Sequence, residues 1–178
     1  FFTRNQAQVI PARAVRIDPA AGQVVLEDGT KVDYDRLLLA TGASPVIPGL
    51  PGIELPWVKT LYTWKDAEEI AALLKAGDTA VILGSGLIGI KAAEALHQRH
   101  MKVVIVEKQE QILPRLLSPW SASIVLRNMQ DQGIQVLTGH EAISISESYQ
   151  VELDHGVNIP AQLVIVAVGN RPNQSLAR

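Results

Sequence analysis

The segment that most constrains this chain is Thr79-Ala80-Val81-Ile82-Leu83-Gly84-Ser85-Gly86-Leu87-Ile88-Gly89. A short apolar run, the pattern of a buried strand, ends in G-S-G-L-I-G. An alanine-rich helical pattern, Ile90 to Leu96, follows at once. A bare G-x-G-x-x-G says little, but between a strand and a helix it specifies the turn of a dinucleotide-binding β–α–β unit. Gly84 permits the tight turn, Gly86 lets the backbone approach a pyrophosphate, and Gly89 lets the helix pack on the strand. Ser85, Leu87 and Ile88 complete the loop, where N–H groups at the helix start attract phosphate. A second strand, Lys102 to Val106, ends at Glu107, about 20 residues past the glycines, where a carboxylate can accept from the adenosine ribose. A tight turn with no ligand would explain one glycine. It explains three glycines and a correctly placed Glu107 poorly.

Bulk properties narrow the alternatives. With 178 residues and 47% hydrophobic side chains, the chain can bury a sizeable core. A net charge of -2, with no basic run, argues against nucleic acid. The apolar runs are too short to span a bilayer, and no signal-peptide pattern is visible, so a cytoplasmic protein is expected. Cysteine is absent, which removes disulfides, thiolate nucleophiles and Cys-rich metal sites. His97, His100, His140 and His155 lack ligand spacing and read as solvated, so no metal is assigned. Hydride chemistry would be carried by cofactors, and no catalytic residue is expected.

Residues 7–40 read as β, with Val9-Ile10 and Ala14 to Ile17 alternating loosely. Val24-Val25-Leu26 and Lys31-Val32 flank Asp28-Gly29, a hairpin signal. Arg36 to Ala40 reads as a buried strand. Residues 42–57, rich in Gly and Pro, read as a linker or irregular crossover. Thr63-Trp64-Lys65-Asp66 is a capping box leading a helix with Ala67, Ile70, Ala71 and Leu74 on its apolar stripe, stopped by Gly77. Ser118-Pro119 caps another helix, with Trp120, Ile124 and Met129 assigned to one side and Gly133 at its end. Strands are expected near 134–138, 142–146, 150–153 and 162–168.

Two stretches match without a gap, 127 positions apart. Val24 to Gly29 parallels Val151 to Gly156, and Leu37 to Pro45 parallels Val164 to Pro172. The shared register of Gly29, Ala40, Gly42 and Pro45 with their partners favours duplication over chance. The same offset carries Gly84 to 84 − 127 = −43, before the first residue. The sequence is therefore expected to begin inside a first dinucleotide-binding unit whose own glycine loop lies upstream.

The chain resembles the central part of FAD-dependent pyridine nucleotide–disulfide oxidoreductases. Three motifs carry the resemblance: Tyr34-Asp35-Arg36-Leu37-Leu38-Leu39-Ala40-Thr41-Gly42-Ala43-Ser44-Pro45, the Val81–Gly89 loop with Glu107, and Val166-Ala167-Val168-Gly169-Asn170-Arg171-Pro172-Asn173. Within the family it is most similar to the NADH oxidase, ferredoxin or rubredoxin reductase and nitrite reductase group. The resemblance implies an α/β fold: a Rossmann-like, doubly wound NAD(P)-binding domain with an antiparallel β-meander, preceded by a partial FAD-domain β segment. It implies residues 1–45 as FAD-domain remnant, 46–62 as linker and 63–178 as NAD(P)H domain. It also implies that Thr41, Gly42 and Gly169 belong to a flavin site completed only in a longer parent.

The resemblance further implies NADH passed to FAD and on to an acceptor that the sequence does not name. NADH is preferred over NADPH because Glu107 would repel a 2′-phosphate. An isolated nucleotide-binding or regulatory module is the alternative. Lys91 stands where the family often has Glu near the nicotinamide. A changed nicotinamide contact and a solvated helix face explain it equally well. Leu37-Leu38-Leu39 needs burial, and the Asp28-Gly29 hairpin is expected to shield part of it. Any face left uncovered invites association into homo-oligomers.

Overall fold

The computed structural model describes residues 3–177. They form two compact units. One runs through Ala43 and resumes at Pro172, and the other spans Ser44–Arg171.

The first unit is built on an antiparallel sheet of β1 (Ala14–Asp18), β2 (Gln23–Leu26) and β3 (Lys31–Asp33), in that order. Asp28-Gly29 makes the β2–β3 turn. Gly29 sits at φ +84°, a conformation that costs glycine nothing, and Asp28 Oδ1 accepts the Thr30 N–H at 2.9 Å. Two expectations fail here. Val9 and Ile10 lie outside any strand and are exposed. Pro11, which has no N–H to give a ladder, follows them directly. Arg36 to Ala40 is not a buried strand either. Leu37, Leu38 and Leu39 are 40%, 86% and 44% exposed, so the hairpin does not shield them as expected. An apolar strand is buried by neighbours along its edges and across its faces, and no described strand pairs with this one.

The chain then forms β4 (Ala43–Pro45), β5 (Val58–Thr60), α1 (Trp64–Leu73), β6 (Thr79–Leu83), α2 (Leu87–His97), β7 (Lys102–Glu107) and α3 (Pro119–Asp131). After these come β8 (Gln135–Thr138), β9 (Ala142–Ser146), β10 (Gln150–Leu153), β11 (Asn158–Pro160), β12 (Leu163–Val166) and β13 (Asn170–Pro172). Five of them make a parallel sheet in the order β5-β12-β6-β7-β8. Its central strands are covered on both faces, so they read as continuous apolar runs. Ala80 and Ile82 point to the helix side with Ile90, Leu96, Ile105 and Met129. Val81 and Leu83 point the other way, onto Ile145, Val151, Leu153 and Ile159 of the meander β9-β10-β11. The layers are thus helices, parallel sheet and antiparallel sheet, and the β8–β12 crossover runs through the meander instead of a helix.

The duplication has a structural counterpart. An offset of 127 carries β2 onto β10, β3 onto β11 and β4 onto β13 with identical bounds. It carries residues 36–39 onto β12, the strand held between β5 and β6. The same sequence pattern is therefore a core strand in one copy and an exposed segment in the other, according to whether neighbours flank it.

Smaller differences also have causes. β5 lies in what reads as linker, because β12 supplies its pairing. α1 ends at Leu73 with Leu74 as cap, and Gly77 turns the chain afterwards at φ +89°. On α3 the buried side is Ala122 and Met129 with Val125 and Leu126, while Trp120 and Ile124 are 75% and 51% exposed. Nine residues at about 100° each place Trp120 and Met129 on opposite sides, so they could not share a face.

Candidate functional site

The carboxyl ends of β6, β7 and β12 meet where the sheet order reverses, the place where doubly wound sheets bind ligands. A cleft of about 850 Å³ opens there. Gly84, Ser85 and Gly86 form its floor, Glu107 one wall, and Ala167-Val168-Gly169 the other. Leu113-Pro114-Arg115-Leu116, from the β7–α3 loop, His140-Glu141, from the β8–β9 loop, and Ala142, at the start of β9, extend the walls.

Each glycine of the loop answers a different constraint. Gly84 has φ +103°, and a Cβ there would stand 2.5 Å from the Ala167 carbonyl oxygen. A Cβ on Gly89 would run into the Gly84 carbonyl. Gly86 is the N-cap of α2, and a Cβ there would meet nothing within 4 Å. Gly84 is kept bare by the chain that leaves β12, Gly89 by the packing of α2 on the end of β6, and Gly86 leaves open space in the cleft. No side chain caps the start of α2, so its leading N–H groups and positive dipole end are left to a ligand. This cradle fits a pyrophosphate.

Glu107 is 8% exposed, and its partners are protein groups. Its Oε2 accepts from the Ser85 N–H at 2.9 Å and from Ser85 Oγ at 2.6 Å, and its Oε1 accepts the Gln109 N–H at 2.9 Å. Ser85 is fully buried, so its N–H is committed to Glu107 and not to a phosphate. One lone pair of Oε1 remains for a ribose hydroxyl.

The other residues singled out from sequence are placed as follows. Leu87 and Ile88 lie in the first turn of α2, 61% and 38% exposed. Lys91 falls one residue past that turn, not within it, and its exposed side chain pairs with Glu94 at 2.7 Å, off the cleft walls. Thr41 and Gly42 belong to the first unit, where Thr41 Oγ1 donates to the Asn173 carbonyl at 2.7 Å and Asn173 Nδ2 donates to the Thr41 carbonyl at 3.0 Å.

Sequence reading missed the walls. His140, read as solvated, is a half-buried cleft residue whose Nδ1 lies 3.0 Å from Asp154 Oδ1. Burial pushes the Asp154 carboxyl up, but the His140 bond, the Glu141 N–H and the nearby His155 outweigh it and hold the group below its ordinary value. Lys108 reaches across to Glu141 at 2.8 Å. No motif marks these residues, since the loops that bring them together lie far apart in the chain. Among the described residues no helix is long and apolar enough to cross a membrane.

Sheet order, glycine turn and meander together define a Rossmann-like α/β nucleotide-binding domain. The chain belongs to the pyridine nucleotide-disulphide oxidoreductase family, whose profile matches residues 2–178. It is 34% identical over 176 residues to the NADH-dependent phenylglyoxylate dehydrogenase subunit epsilon of Aromatoleum evansii, covering 97% of this chain and 42% of that one. It is 30% identical to rubredoxin-NAD(+) reductase of Pseudomonas putida, covering 99% and 47%. A ferredoxin reductase structure from Rhodopseudomonas palustris superposes with a TM-score of 0.92 at 29% identity, covering 99% and 45%. The chain thus spans less than half the length of these relatives.

Proposed function

We propose that this chain seats NADH in an FAD-dependent oxidoreductase, as the hydride-donor portion of a longer enzyme. The observation that carries the proposal is the Gly86 cradle, open space against an uncapped helix start at the sheet's switch point. When bound, NADH would supply the hydride that FAD receives. The chain's own groups bind and orient. The Leu87, Ile88 and Gly89 N–H groups, with the open space at Gly86, would hold the pyrophosphate, Glu107 Oε1 would hold the adenosine ribose, and Gly169 would line the far wall. Thr41 and Gly42 would contribute to the flavin's seat. The acceptor in relatives includes rubredoxin, and a small redox protein of that kind is the partner proposed here. A cytoplasmic setting, where NADH is made and used, goes with it.

NADH is favoured over NADPH. A 2′-phosphate would meet the Glu107 carboxylate, and Lys108 already pairs with Glu141. Arg115 is the cleft cation that works against this preference. Fluorescence titration with both nucleotides tests it: NADH is expected to bind at least about tenfold tighter, the scale of one carboxylate–phosphate misfit. Equal or tighter NADPH binding would overturn the preference, and no binding of either would overturn the seat itself.

A further inference from the structure

We infer that His140 reads the base of the dinucleotide, its Nε2 accepting a hydrogen bond from the exocyclic amine of adenine. This rests on the cleft being the NADH seat. The His140 backbone N–H donates to the Glu107 carbonyl at 3.1 Å, so the two residues are neighbours along the cleft that both line. A base lies one glycosidic bond from its ribose, and the cleft walls there suit one. Leu113, Leu116 and Ala142 offer apolar surface for its faces, and His140 offers a polar edge.

The ring's proton is fixed by what stands behind it. Asp154 Oδ1 lies 3.0 Å from Nδ1 and also accepts the Glu141 N–H at 3.2 Å, while His155 Nε2 approaches Oδ2 at 3.6 Å. A carboxyl held below its ordinary value is ionised near neutrality and can only accept. The proton of the neutral imidazole therefore sits on Nδ1, and Nε2 is a bare acceptor. Among the described residues nothing hydrogen-bonds to that Nε2. The amine of adenine is a donor and complements it. Hypoxanthine carries a carbonyl oxygen at the same position, which would set acceptor against acceptor.

The test compares NADH with its hypoxanthine analogue, by fluorescence titration in mildly alkaline buffer. The chain is expected to prefer NADH about tenfold, the scale for stranding one buried polar group. His140→Leu should bring the two within about twofold, with the loss on the NADH side. Nitrogen NMR of the unmodified chain gives a measurement free of any folding defect. Nδ1 should carry the proton, and the Nε2 resonance should move on adding ADP-ribose but not its hypoxanthine counterpart. Equal affinities in the unmodified chain, a preference surviving His140→Leu, or a proton on Nε2 would each overturn the assignment. If ADP-ribose binds without discrimination, the base contact alone falls. If neither dinucleotide nor ADP-ribose binds, the NADH seat falls with it.

Discussion

Ser85 and Glu107 join the glycine loop to the end of β7 through two hydrogen bonds on one carboxylate oxygen. Because both side chains are buried, the tie is structural before it is functional. Glu107→Gln keeps the volume but presents an NH₂ to either Ser85 or the Gln109 N–H. It should destabilise the fold by about 1–3 kcal/mol, the cost of a stranded buried donor. Urea unfolding measures this, and an unchanged midpoint would show that the Ser85 tie contributes nothing. The glycines separate the two roles more cleanly. Gly86→Val should leave the thermal transition nearly in place, since its Cβ meets open space at φ -69°, yet abolish NADH binding. Gly84→Val should fail at the fold, because the Ala167 carbonyl occupies the space and φ is +103°. NADH binding by Gly86→Val at the parent's affinity would remove the loop from the site.

At the scale of elements, local chemistry decides the well-defined helix start. The Thr63 and Asp66 side chains exchange hydrogen bonds with each other's backbone N–H, and Asp66 also accepts from the Tyr62 N–H at 2.8 Å. Burial pushes the Asp66 carboxyl up, but the Thr63 and Tyr62 bonds and the Lys59 charge bring it below its ordinary 3.8. A lowered folded-state pKa means stability present above the unfolded value and lost as pH falls through the folded one. The α1 cap should therefore hold down to about pH 4 and weaken below it. Thr63→Ala should cost about 1 kcal/mol at neutral pH. An unchanged urea midpoint with unchanged slope would sink that value.

Such elements were legible because their signals are local: the capping box, Gly turns, the continuous apolar runs of β6 and β7, and the repeated hairpin. β5 and β11 were not legible. Each is three residues long, too short to show a period, and β11 includes Pro160 on an edge. Of the cleft, the floor was legible from the glycines and Glu107. The walls around His140 and Leu113 were not, since they are brought in by tertiary packing alone.

At the scale of the molecule, burial is uneven. The fully or nearly buried side chains Val81, Ile82, Ile105, Val164 and Ile165 all lie in the parallel sheet of the second unit. Among the described residues of the first unit Leu26 is the buried hydrophobic one, and the counterpart of β12 lies exposed. Apolar burial at about 25 cal/mol per Å² is the main favourable term in folding, so opening free energy should follow this distribution. Hydrogen exchange should protect 79–83, 102–107 and 163–166 most strongly. The β1–β3 amides, although paired, should exchange orders of magnitude faster, because their sheet covers little apolar surface. The contrast also tests the repeat. β2 and β10 share sequence pattern and register, so local propensity alone would protect them equally. Protection of β10 with fast exchange in β2 would assign the difference to the parallel sheet beneath β10. Equal protection would mean that the three-stranded sheet of the first unit is stable without such a partner, and the explanation given for the exposed Leu37–Leu39 segment would fail.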